Sequence, residues 1–131
     1  MKVDEGKGDA SRSLTEALAG LRAGDLTHTR LSRLSDLSRA EAKVVAEAWE
    51  TIPEETRAVI VRRCEELSEE RIDVNFRRAL RVALGDRSPV VRQLAIAGLW
   101  EDDSGDLLER LSGLLLNDPS PDVQAEAARG L

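Results

Sequence analysis

The stretch "LGDRSPVVRQLAIAGL", Leu84 to Leu99, is written again as "LNDPSPDVQAEAARGL", Leu116 to Leu131. At a spacing of 32 the copies share Leu84/Leu116, Asp86/Asp118, Ser88/Ser120, Pro89/Pro121, Val91/Val123, Ala95/Ala127, Gly98/Gly130 and Leu99/Leu131. Each shared type has a mechanical reason. Ser88 and Ser120 are N-caps whose hydroxyls accept orphan backbone N–H groups, and Pro89 and Pro121 stand at the first helical position, where proline is favoured. Val91, Ala95, Gly98 and Leu99 then recur at i, i+4, i+7 and i+8, an apolar stripe whose small residues permit close approach of another helix.

The residues before each copy match at the same spacing, Phe76, Ala79, Val82, Ala83 and Leu84 corresponding to Leu108, Leu111, Leu114, Leu115 and Leu116. Each unit therefore holds two helices. Another step of 32 towards the N-terminus finds a fainter copy, with Glu54 for Asp86, Thr56 for Ser88, Val59 for Val91 and Leu67 for Leu99. Its first helix is "SRAEAKVVAEAWETI", where Ser38 and Glu41 have capping-box spacing and Val45, Ala48, Trp49 and Ile52 form the stripe. Three tandem helix pairs, none able to bury its face alone, predict an all-α chain folded as an alpha-alpha superhelix, a solenoid of antiparallel helix pairs.

The pattern D-x-S-P-x-V-[RQ]-x-x-A-x-x-G-L resembles HEAT repeats, in particular the short bacterial HEAT-like type named after phycobilisome lyases. The resemblance covers residues 72–131 clearly and 37–71 more faintly. It implies a right-handed stack with second helices lining a concave face for protein partners, and it carries no lyase activity with it, because fold and function separate freely. The family's buried Asp and Arg map to Asp86 with Arg92 and to Asp118, whereas Gln124 and Ile60 stand where further arginines are usual, a departure from a continuous Asp/Arg ladder.

These readings divide the chain into a disordered segment 1–11, a helical cap or loosely docked arm 12–36, and repeats 37–71, 72–103 and 104–131. Within 12–36, "SLTEALAGLRAGD" reads as a helix ended at Gly24 and "LTHTRLSRLSDLS" as a short helix or connector. The last repeat stops at Leu131, the equivalent of Leu99, without a visible cap, so the stack is expected to be a section of a longer solenoid.

Composition narrows the function. A charge of −6 and a pI near 4.9 oppose general binding to a polyanion. The single cysteine, Cys64, excludes an internal disulfide framework and fits an intracellular setting, and no run is long and apolar enough for a membrane, so a cytoplasmic location is expected. The segment Arg57 to Arg92 holds nine arginines against six acids, which keeps a nucleic-acid-binding alternative, as does a regulatory domain of a larger enzyme. Arginine and glutamate at helical spacing more simply form weak surface pairs.

No catalytic, metal or cofactor site is expected. Asp102, Ser104 and Asp106 alternate as in a calcium loop, but the glycine falls at 105 and no glutamate closes the loop. His28 has no second ligand beside it, and Cys64 lacks a base. The candidate partner-binding face lies opposite the core stripe on the second helices. At 100° per residue it gathers Val61, Glu65, Ser68, Gln93, Ile96, Ala97, Trp100 and Arg129. Trp100 either stands exposed as an anchor or folds against the next repeat's first helix.

Overall fold

Ser88 Oγ and Ser120 Oγ accept from the backbone N–H of Val91 and Val123, both at 3.4 Å, and each serine starts a ten-residue helix with proline in its first turn. The computed structural model in which these caps are seen describes residues 2–100, 102 and 104–131, with side chains from residue 12 onward. Among the described residues are eight helices: α1 (Lys2–Arg22), α2 (His28–Ser32), α3 (Arg39–Trp49), α4 (Glu54–Glu70), α5 (Arg77–Ala83), α6 (Pro89–Gly98), α7 (Gly105–Asn117) and α8 (Pro121–Gly130). The all-α solenoid expected from the repeat is what forms. The second helices α4, α6 and α8 pack side by side, α3 packs on α5, and short turns join the members of each pair.

Small residues set the spacing within pairs. A Cβ placed on Gly98 would fall 3.0 Å from Leu80 Cδ1, and one on Gly130 would fall 3.4 Å from Leu111 Cδ1. The two glycines are 32 apart and the two leucines 31, so the first helices are offset by one residue from the expected register. Leu107, not Leu108, is consequently the buried residue of the first turn of α7, and Leu116, expected opposite Leu84, is exposed.

Consecutive pairs are held by buried ion pairs. From α4, Arg57 Nε donates to Asp86 Oδ2 at 2.7 Å and Nη2 to Oδ1 at 3.0 Å, while Nη1 caps the Ile52 carbonyl at 2.6 Å. Asp86 also accepts from Trp49 Nε1 at 2.7 Å and from the Ser88 backbone N–H at 2.8 Å, so one carboxylate ties together α3, α4 and the start of α6. One layer on, Arg92 repeats the arrangement. Its Nε and Nη2 reach Asp118 at 2.8 and 2.9 Å, its Nη1 reaches the Asp86 carbonyl at 2.8 Å, and Asp118 accepts from the Ser120 N–H.

This geometry corrects the register of the first repeat. Pro53, the N-cap of α4, and Ser88, the N-cap of α6, are 35 residues apart, and so are Arg57 and Arg92. Burial follows: Ile60, Val61 and Cys64 occupy the places of Ala95, Ile96 and Leu99, whereas Val59 and Arg63, which a spacing of 32 sets against Val91 and Ala95, are not buried. The expected matches Glu54/Asp86, Thr56/Ser88, Val59/Val91 and Leu67/Leu99 are displaced by three residues. Three residues are nearly one helical turn, so the stripe survives the slip while the polar positions do not. The ladder is therefore present at both joints of the three pairs, with Arg57 rather than Ile60 as its first rung.

At the N-terminus, α1 packs on α2 and α3, and α2 on α4. Leu14, Leu18, Leu21, Leu31 and Leu34 are buried and continuous with the core of the repeats. Gly24, at φ +89°, lets the chain reverse after α1, where Asp25 N–H returns to the Gly20 carbonyl. The helical backbone of α1 also runs through residues 2–11, where glycines and charges suggest disorder. Extending a helix already nucleated over the docked turns costs less than starting one. The turn after α2 is fastened to the next layer, since Asp36 N–H donates to the Asn75 carbonyl and Asn75 N–H to Ser35 Oγ, both at 2.8 Å.

Burial alone would raise the pKa of Asp86 and Asp118, but the hydrogen bonds from Arg57 and Arg92, with those from Ser88, Trp49 and Ser120, outweigh it and hold both below the ordinary value of 3.8. A depressed folded-state pKa means stability that is fully present above the ordinary pKa and is lost as pH falls through the depressed one. Circular dichroism against pH should therefore show an intact fold down to about pH 4 and unfolding below it. Unfolding centred near neutrality would contradict that assignment. Asp86→Ala leaves the Arg57 guanidinium, 3% exposed, without a counter-charge and should cost about 3–5 kcal/mol in urea denaturation. Asp118→Ala should cost less, because Arg92 is 11% exposed and regains water. The reverse order would contradict the ladder.

Candidate functional site

The face read from the sequence divides in two. Val61 and Ile96 are each 1% exposed, sealed between neighbouring second helices, so they belong to the core and not to the surface. Helical angle gives a direction but not the flank that the next helix covers; Ile96 Cγ2 lies 3.7 Å from where a Gly130 Cβ would stand. Glu65, Gln93 and Ala97 are half-buried, and Ser68, Trp100 and Arg129 are exposed. These six, on the adjacent helices α4, α6 and α8 and just past the end of α6, are what remains of the candidate strip.

Trp100 stands just past the last turn of α6 and is 59% exposed. Its Cδ1 would touch a Cβ on Gly130 at 3.9 Å, so one ring edge rests over α8 while the ring remains in solvent. The exposed alternative is the one realised. Gln93 and Ala97 form the middle of the strip, and Ser68 Oγ is turned back to the Cys64 carbonyl at 2.9 Å.

The strip is acidic. Burial raises the pKa of Glu65, and the charges of Glu69 and Glu66 on its own helix and of Glu126 on α8 raise it further. Glu65 of α4 and the buried Glu126 of α8 are thus near enough for their charges to act on one another, with α6 packed between the two helices. Arg129 Nε is engaged by Glu126 at 3.1 Å, a pairing that the sequence reading did not include. An acidic border with a partly desolvated carboxylate and an exposed indole suits cationic and apolar groups, the indole face attracting a cation directly.

The other candidates have structural roles. Asp102 and Asp106 grip Arg81 at 2.9 and 2.8 Å, Ser104 Oγ donates to Asp102 at 2.6 Å, and the Ser104 hydroxyl accepts from Arg81; the alternating acids of the calcium-like run serve an arginine from the preceding layer. Cys64 is buried in α4 with its thiol pushed up to about 12 by burial, far from a reactive thiolate at neutral pH. Among the described residues no three His, Cys, Asp or Glu side chains cluster as metal ligands. A cleft of about 320 Å³ beside the first rung is lined by Trp49, Arg57, Arg81, Asp86 and Arg110. There Arg110 Nη1 donates to the Arg81 carbonyl at 3.1 Å, the position of a cation serving a helix C-terminus.

Because the Trp100 ring is largely solvated, Trp100→Ala should change folding stability by less than about 1 kcal/mol in urea denaturation. A loss of several kcal/mol would mean that the ring is packed in solution.

Residues 77–131 match a family model of HEAT repeats. No curated protein and no solved structure matches the chain. The match is to HEAT repeats in general and does not single out the lyase-type subgroup. It begins at the first residue of α5 and ends with α8, so it covers the two helix pairs joined by the Arg92–Asp118 rung. Over residues 77–131 the chain is therefore similar to HEAT repeats, which are commonly protein-interaction scaffolds.

Proposed function

We propose that the chain is a non-enzymatic protein-interaction scaffold whose binding surface is the strip across α4, α6 and α8, and that its partner presents a basic segment with an apolar side chain for Trp100. The observation that carries this reading is an exposed indole at the end of α6 together with the half-buried Glu65 of α4, whose charge is opposed by Glu69, Glu126 and Glu66. Hot spots favour tryptophan, and a partner's lysines or arginines would relieve the mutual repulsion of the carboxylates.

The arginine segment gives less support to nucleic acid. Of its nine arginines, Arg57, Arg71, Arg77, Arg81 and Arg92 face carboxylates and Arg78 donates to the Leu37 carbonyl, which leaves Arg62, Arg63 and Arg87 to meet phosphates. A regulatory domain of a larger enzyme would use the same strip. No helix among the described residues is long and apolar enough to cross a membrane, and a cytoplasmic setting fits a buried free cysteine.

Fluorescence anisotropy with two amphipathic peptides, one of lysine and leucine and one of glutamate and leucine, tests the strip. The cationic peptide should bind and the anionic one should not. Glu65→Lys with Glu69→Lys should weaken binding by about tenfold or more, equivalent to about 1.4 kcal/mol, and rising salt should weaken it in the native chain. Equal binding of both peptides, or binding unmoved by the charge reversal, would overturn the proposal.

A further inference from the structure

The cleft beside the first rung is walled by three successive layers of the stack: Trp49 and Glu50 at the end of α3, Arg81 and the Gly85–Arg87 turn after α5, and Arg110 of α7. Its buried carboxylate is already committed, since Asp86 accepts from Arg57, Trp49 and the Ser88 N–H. Its other arginines are less well served. Arg81 gives Nη1 to Asp106 and Nη2 to Asp102, but its Nε is the one buried side-chain nitrogen or oxygen among the described residues without a hydrogen-bond partner. Arg110 Nη1 holds the Arg81 carbonyl, and its Nη2 lies 4.0 Å from where a Gly85 Cβ would stand. Among the described residues neither Arg87 nor Arg110 has a carboxylate within ion-pair distance. Burial and then the charge of Arg81 hold Arg110 below the ordinary arginine value, and Asp106, which pulls the other way, does not restore it. Like charges kept close in a partly dry cleft repel, and exposed Glu50 pairs with none of them.

We propose that this cleft is a binding site for a phosphate monoester, held by Arg87, Arg110 and the free Nε of Arg81. Charge selects the dianion. Two guanidiniums without a counter-charge match a group that carries close to two negative charges near neutral pH, whereas a carboxylate brings one. Donor number points the same way: a carboxylate is satisfied by a single bidentate guanidinium, while the three terminal oxygens of a phosphate can serve three donors at once. A volume of about 320 Å³ stands at the small end of ligand pockets, room for the phosphate with a small attached group. The overall charge of −6 opposes binding along an extended polyanion and leaves a local positive cleft intact. Because α3, α5 and α7 each supply a wall, an anion bound there braces three layers and stabilises the stack by mass action. The site is separate from the acidic strip, which lies on the second helices and suits groups of the opposite charge.

Titration of inorganic phosphate into the isotope-labelled whole chain tests this, at constant ionic strength and about pH 7.5, where the ion is mostly doubly charged. The Gly85 and Arg87 amide signals and the arginine Nε–H signals should move saturably, with a Kd on the order of 1 mM, and acetate should bind about tenfold or more weakly. Arg87→Gln and Arg110→Gln should each lower phosphate affinity about fivefold or more with an unchanged circular dichroism spectrum, and Arg62→Gln, at an exposed arginine of α4, should leave it as it is. Gly85→Glu sets a carboxylate beside Arg110 in an exposed turn and should abolish phosphate binding. Phenyl phosphate and a peptide with one phosphoserine separate the two sources of the group: whichever binds more tightly than inorganic phosphate supports the site and names the source. The inference is overturned by the absence of a saturable shift, by equal affinity for acetate, or by affinity unmoved by Arg87→Gln and Arg110→Gln.

Discussion

The stack depends on the Arg57–Asp86 pair. Helix pairs with small apolar stripes can slide along one another at little cost, because leucine against alanine is nearly indifferent to register. A bidentate guanidinium–carboxylate contact is not indifferent. Shifted by one residue, it would leave a charge buried without its partner, a penalty larger than most single packing contacts. With Trp49 and the Ser88 N–H on the same carboxylate, Asp86 ties α3 and α4 to the start of α6. Arg92 and Asp118 repeat the device, and the Arg92 contact to the Asp86 carbonyl links the rungs.

Fixing the layers on one side of the stack leaves the other side for recognition. The rungs sit at the turns between first and second helices, and the strip of Glu65, Gln93, Ala97 and Trp100 lies on the second helices away from them.

Much of this was legible in the residues themselves. Ser88-Pro89 and Ser120-Pro121 announced helix starts because capping chemistry is local, and the 32-residue spacing announced the pairing. The first rung was not legible, because the α3–α4 unit is three residues longer in register and an apolar stripe barely registers a shift of nearly one turn. Arg57 therefore passed for one of several surface arginines. Val61 and Ile96 were placed on the open face because helical angle gives a direction but not what lies in that direction. The exposure of Trp100 was undecidable from sequence for the same reason, and the acidity of the strip needed Glu126 of α8 brought near Glu65 of α4, a meeting of residues 61 apart in the chain.

The central claim, that a buried charge pair sets the register of the layers, is tested most directly by a double-mutant cycle on Arg57→Met and Asp86→Leu, with stability read from urea unfolding. The account predicts strong coupling: each single change is costly, and the double change recovers a large part of the loss, with an interaction energy of about 2 kcal/mol or more. Additive losses, with an interaction energy within about 0.5 kcal/mol of zero, would show that the pair does not act as a unit and that apolar packing alone sets the register.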